Sequence, residues 1–246
     1  MNLILLFEAD LEGGRATLRG ARHVHLRTVL KSKAGDAVRV GLLDGPTGLG
    51  TLEATSESES TLRVVWDEDA APAPPTDLWL AVPRPKSLRR VFLECTALGV
   101  ARFLLFRSWR VEKSYLQADM LQPAHYRPVL HEGLMQARAT REPRVVVEPL
   151  FRPFLEDRAK PESEGAVRLV LHPGAAASLG DQAPRITADT PVVLAIGPEG
   201  GFVGYELAAF EAAGFLPVSM GERVLRVETA CVAALAQLDL LRRLRR

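Results

Sequence analysis

Residues 190–206 read TPVVLAIGPEGGFVGYE, and residues 219–235 read SMGERVLRVETACVAAL. In the first stretch an uncharged aliphatic run stops at Gly197, and a helical pattern takes over from about Tyr205 to Ala213, where Gly214 ends it. A short apolar run bounded by Gly and Pro is the pattern of a strand buried on both faces, and a strand followed at once by a helix is half of a βα unit. In the second stretch Gly221 closes a strand near Val218, and a Leu/Ala-rich helix runs from about Glu228. The same alternation extends upstream. Leu78–Val82 is an expected strand, and Ser87–Leu98 places Leu88, Val91, Phe92, Cys95 and Leu98 on one helical stripe with Gly99 as its stop. Ala101–Phe106 is the next strand, followed by a helix over Val129–Ala139 with Pro123 and Pro128 at or before its start. AVRLVLHPG (166–174) is a further strand, and EDRAKPESEG (156–165) reads as an exposed loop. Repeated βα units imply an α/β domain with a mostly parallel sheet and ligands at the carboxyl ends of its strands.

Residues 36–66 differ. DAVRVGLLDG, GLGTLEATS and STLRVVWD are short strands separated by Gly, Asp and Ser turns, the pattern of a small barrel or sandwich. The acidic, Pro-rich stretch Asp67–Asp77 has no period to bury and is the expected linker, dividing the chain into residues 1–72 and 73–246. The 246 residues, 47% hydrophobic and 25% charged, suit two soluble domains. Leu3–Phe7 is too short for a signal segment, no stretch approaches the roughly 18 apolar residues of a membrane span, and a cytoplasmic protein is expected. Cys95 and Cys231, without partners at ligand spacing, suggest neither a disulfide framework nor a metal site. The net charge of +1 conceals asymmetry: Arg15–Arg39 holds seven Lys/Arg against Asp36, and Arg84–Lys113 holds eight against Glu94 and Glu112. Such stretches suit a polyanion such as RNA as well as they suit ordinary solvated faces. His23 and His25, beside the first, read as surface residues.

The chemistry concentrates where strands end. Gly197, Gly200 and Gly201 let a ligand approach bare backbone, ahead of a helix N-terminus with free N–H groups. The pattern is neither a dinucleotide fingerprint nor a phosphate loop. Val224 and Leu225 are apolar in an expected loop, which makes sense beneath another segment or against a flat ligand such as adenine; Arg226, Glu228 and Thr229 lead into the last helix, with Thr229 a plausible cap and Arg226 either functional or a structural ion-pair residue.

IGPEGGF with MGERVLRVETA resembles the RsmE family of ribosomal RNA uridine-N3 methyltransferases in the SPOUT superfamily, as do LHPG at Leu171–Gly174 and RTVLKSKAGD at Arg27–Asp36. The resemblance spans nearly the whole chain. It implies a deep trefoil knot in the C-terminal domain, a PUA-like β-barrel in front of it that grips RNA, a homodimer, and S-adenosyl-L-methionine as cofactor without metal. It further implies cofactor contacts from Leu171, His172, Gly174, Ile196, Gly197, Gly200, Gly201, Met220, Gly221, Val224, Leu225 and Thr229, with Arg226 stabilising the uracil anion and Glu199 or Glu228 orienting. RNA contacts are expected from Arg22, Arg27, Lys31, Lys33, Arg84, Lys86, Arg138 and Arg141. Three positions depart from the family pattern. Ala97 stands where a Glu precedes LGV, Ala139 stands where an Arg is usual with Arg138 or Arg141 as substitutes, and Val203 replaces the Ser of a capping box with Glu206, a change worth about 1 kcal/mol. A non-catalytic RNA-binding or ribosome-assembly protein keeping the fold, and a ribose 2′-O-methyltransferase, are the rival readings.

Overall fold

The structure is a computed structural model that describes residues 2–69, 72 and 74–244. Of the expected linker, Ala70, Ala71 and Ala73 lie outside the described residues, and with Ala73 the expected boundary. The chain divides into two compact units, Met1–Ala73 with His131–Glu142, and Pro74–Leu130 with Pro143–Arg246.

In the first unit the described residues form a six-stranded sheet from β1 (Ile4–Leu6), β2 (Leu11–Glu12), β3 (Arg15–Arg19), β4 (Ala37–Leu42), β5 (Thr47–Thr55) and β6 (Glu59–Glu68), in the order β1-β4-β5-β6-β3-β2. β1 pairs parallel with β4 and the other neighbours pair antiparallel. Alternation sets the faces: Ala16 and Leu18 of β3 point into a core with Ile4, Leu6, Leu26, Val40, Leu52 and Leu62, while Arg15 and Arg19 are exposed. Three of these strands lie before residue 36, where the sequence reading placed none. β1 is buried along its whole length because Leu3 and Leu5, on its other side, pack on Leu134. His23 is buried rather than at the surface, bonded through Nδ1 to the Ser60 hydroxyl (2.8 Å) and through Nε2 to the Glu57 carbonyl (3.2 Å).

The second unit holds the expected parallel sheet: β7 (Thr76–Ala81), β8 (Arg102–Phe106), β9 (Arg144–Glu148), β10 (Val167–Leu171), β11 (Val192–Ile196) and β12 (Leu216–Val218), in the order β12-β10-β11-β7-β8-β9 with every pairing parallel. β11 is buried at all five positions, which explains its unbroken apolar sequence. The helices Pro85–Ala97, Gly204–Ala212 and Val227–Arg243 lie within a residue or two of expectation.

Two expectations about helices fail. The helix before β9 runs Pro123–Ala137 with Pro128 inside it. Pro128 and Ala124 are both exposed, so water can take the Ala124 carbonyl that Pro128 cannot serve, and the missing bond is tolerated. The stretch expected as a loop from Glu156 is largely helical, Phe154–Arg158 continuing into Ala159–Glu162, because Phe151, Phe154, Leu155 and Ala159 recur at helical spacing and are buried. None of the described helices is long and apolar enough to cross a membrane.

Candidate active site

A cavity of about 330 Å³ opens where β10, β11 and β12 end, within the second unit. Three chain segments line it, Leu171–Pro173, Ile196–Phe202 and residues from Val218 to Ala230, with Arg110 added from a separate loop. Its floor is stiff. Phe202 stacks on Phe106 (centroids 6.2 Å, planes 8° apart) and meets Phe210 at 5.0 Å, both of them fully buried.

The glycines serve close approach. A Cβ on Gly197 would come within 3.2 Å of the Phe202 backbone nitrogen, and one on Gly200 within 2.9 Å of the Arg110 side chain. Gly201, at φ +70°, adopts the left-handed backbone that closes the turn, its N–H donating to the Pro198 carbonyl (2.8 Å). The third segment is tied to the first: the His172 N–H donates to Val218 (3.0 Å), and Ser219 donates to Ala177 (2.9 Å) and accepts from Leu179 (2.8 Å). Val224, 81% exposed, and Leu225, 37% exposed, present apolar surface to the cavity with no covering segment among the described residues.

Among the residues expected from sequence, Leu171, His172, Ile196, Gly197, Glu199, Gly200, Gly201, Met220, Gly221, Val224 and Leu225 line this cavity. Gly174, Arg226, Glu228 and Thr229 do not. Gly174 lies just beyond, where a Cβ would stand 3.3 Å from the His172 ring. Arg226 is the exposed N-cap of the last helix, between the cavity residues Leu225 and Val227. Thr229 is not the cap: the helix starts at Val227, so Thr229 is its third residue, exposed. The Glu228 carboxyl is held below the usual range by its own backbone N–H, then by the Ser87 hydroxyl, Arg90 and Arg226, against an opposing effect of burial. It lies 3.4 Å from the Arg90 guanidinium. Glu199 accepts the Arg84 backbone N–H at 3.0 Å, which joins the second loop to the start of the Pro85–Ala97 helix.

Sequence reasoning missed Arg110 and Arg223 as cavity residues. Arg110 donates to the Gly200 carbonyl. It stood within the basic stretch Arg84–Lys113, but nothing in its spacing connects it to a loop 90 residues away. Among the described residues no three His, Cys, Asp or Glu side chains gather as a metal site would require.

The expected RNA residues divide into tied and open. Arg22 is bound to Asp10 and the Leu5 carbonyl and lies 4.9 Å over the Phe7 ring, so it braces the first unit rather than offering a free charge. Arg27 is exposed, its guanidinium on the Ser56 and Glu57 carbonyls, and Lys31 and Lys33 are exposed without an ion pair among the described residues. Arg141 is tied to the Asp44 carbonyl (3.1 Å); Arg138 is exposed, at φ +58° just past its helix. Arg84 and Lys86 are exposed at a helix start, the Arg84 guanidinium hydrogen-bonded to Tyr115 and raised in pKa by it.

The chain matches the RNA methyltransferase domain family over residues 71–239. It is 31% identical over 242 residues to ribosomal RNA small subunit methyltransferase E of Treponema pallidum, covering 96% of this chain and 90% of that protein. Among solved structures it resembles a ribosomal RNA small subunit methyltransferase E from Neisseria gonorrhoeae bound to S-adenosyl methionine (TM-score 0.77, 19% identity, 98% of each chain). It also resembles a methyltransferase from Legionella pneumophila in complex with the same cofactor (TM-score 0.75, 23% identity, 97% of each chain).

Proposed function

We propose, from the premise that this chain belongs to the ribosomal RNA small subunit methyltransferase E family, that it transfers a methyl group from S-adenosyl-L-methionine to uracil N3 of a uridine in small-subunit ribosomal RNA. The observation that carries the reading is the cavity at the ends of β10, β11 and β12, assembled from the loops that the family motifs mark. Its residues fit the cofactor. Bare backbone at Gly197 and Gly200 leaves room where a Cβ would crowd Phe202 or Arg110, and exposed Val224 and Leu225 offer an apolar face to an adenine ring. When bound, the cofactor supplies an electrophilic methyl group on a sulfonium.

The chain's own task is to align the acceptor and to stabilise the negative charge left as N3–H is lost. Arg110, braced on Gly200 at the cavity wall, is the first residue for that charge, and Arg226, flanked by two cavity residues, is the second. Glu199, with one oxygen held by the Arg84 N–H, orients the acceptor. Glu228, outside the cavity lining and 3.4 Å from the Arg90 guanidinium, acts as a charge partner of Arg90. Lys31, Lys33 and Arg27 hold phosphates, which position the RNA without setting the reaction.

The trefoil knot, the PUA-like character of the first unit, the homodimer and the cytoplasmic setting belong to the same reading. Exposed Leu240 and Leu244, one turn apart, support a partner on the last helix. The test is mass spectrometry of small-subunit ribosomal RNA after incubation with protein and cofactor. One uridine should gain a methyl on the base and block reverse transcription there. An alkali-resistant linkage instead would indicate the ribose hydroxyl, and cofactor binding without any RNA product would indicate the non-catalytic reading.

A further inference from the structure

Trp109 is 73% exposed, although Trp79 in the same unit is fully buried. It is not loose. Its backbone N–H donates to the Glu206 carboxylate at 2.7 Å, and that carboxylate, fully buried, also takes the Val203 N–H at 3.0 Å. Ser108 before it and Val111 beyond it are buried, so the loop is pinned while the indole is left outside. Tyr205, 54% exposed, meets the indole edge-on at 6.3 Å and rests in turn against Phe151 at 6.5 Å. An aromatic pair is thus presented to water on a rigid base.

Its surroundings indicate the occupant. Arg110, the next residue, lines the cavity and is braced on Gly200; Arg107 stands two residues before the indole, and Arg223 lines the same cavity. Of the nearby acids, Glu206 is buried, Glu112 accepts the Tyr115 hydroxyl at 3.1 Å, and Glu199 accepts the Arg84 N–H. An exposed π-face on a loop whose next residue is an arginine of the cavity wall suits a nucleobase with its phosphates. A base that must leave its stack for chemistry on its ring leaves a neighbour without a stacking partner. We infer that Trp109, supported by Tyr205, is a stacking platform for an unstacked base of the RNA beside the methylated nucleotide. This rests on the proposed RNA methyl transfer and adds a positioning residue to it.

The experiment uses the full chain with Trp66→Phe, which leaves only Trp109 and the buried Trp79 as indoles. A short unstructured oligouridylate should quench Trp109 fluorescence, and inorganic polyphosphate at equal charge should not. Trp109→Ala should raise the KM for RNA roughly fivefold to a hundredfold, the range for loss of one base–aromatic stack. The kcat at saturating RNA and the cofactor affinity should stay within about twofold, and Trp109→Phe should restore most of the loss. Equal quenching by polyphosphate, or an unchanged KM in Trp109→Ala with methyl transfer intact, overturns the platform and leaves the enzyme reading standing. Wild-type protein that transfers no methyl group fails the enzyme reading instead, and quenching by oligouridylate would still report the platform. If Trp109→Ala shifts a sedimenting dimer to monomer, the indole belongs to an interface between copies and the inference is wrong.

Discussion

Arg226 and Arg110 show how far a residue's role depends on where its neighbours lead it. The motif LRVETA draws attention to Arg226, yet its side chain is at a helix start outside the cavity lining, while Arg110 reaches the cavity wall from another loop. A group that stabilises charge formed only in the transition state affects turnover more than ground-state binding. Arg110→Ala should therefore lower kcat on the order of a hundredfold, with cofactor affinity by calorimetry changed only a few-fold. Arg226→Ala, measured beside it, should lose less. A folded Arg110→Ala protein that turns over at the wild-type rate while Arg226→Ala is inactive would return the role to Arg226.

Among the elements, helices were predicted well where both ends carried a signal and poorly where a proline gave a false one. Pro128 suggests a start, but Pro123 already occupies the first turn and Leu130 and Leu134 continue the buried stripe beyond it. The helix accepts Pro128 because its exposed side faces water. Pro128→Ala should restore a donor to the Ala124 carbonyl and stabilise the protein by about 1–3 kcal/mol, the scale of an interior helix proline less the entropy it removes from the unfolded chain. Thermal melting would show this as a higher Tm; an unchanged or lower Tm would mean that the proline ring is itself favourably packed. The Gly204–Ala212 helix illustrates the opposite case. Val203 cannot cap it, but Glu206 reaches back to the Val203 N–H and to the Trp109 N–H, so one carboxylate fastens both a helix start and a loop of the site.

For the molecule as a whole, the arithmetic of charge along the sequence misleads. Of the seven cations between Arg15 and Arg39, four are paired: Arg15 with Glu53, Arg19 with Glu59, Arg22 with Asp10 and Arg39 with Asp67. Only Arg27, Lys31 and Lys33 remain as charges without a carboxylate partner among the described residues. Replacing these three with alanine should reduce the slope of log affinity for RNA against log salt by about 2 to 3, at 0.7–0.9 per phosphate contact. Arg15→Ala with Arg19→Ala should leave the slope near the wild-type value. The reverse pattern in a titration against a ribosomal RNA fragment would place the RNA on the strand face instead.

The alternation of strands and helices in the second unit, and the loops that carry its cavity, were legible because each buried parallel strand is a contiguous apolar run and each loop motif is local in the chain. The family resemblance was legible for the same reason, since its motifs are contiguous. Ile4–Leu6 was not legible as a strand, because three residues carry no period and their burial depends on Val40 and on Leu134, far along the chain. Nor could local pattern show that Arg110 meets Gly200, that His23 meets Ser60, or that Glu53 and Glu59 neutralise β3. Short-range periodicity reports which face of an element is apolar; only the tertiary fold decides which distant group meets that face, and hence which charges are left for a ligand.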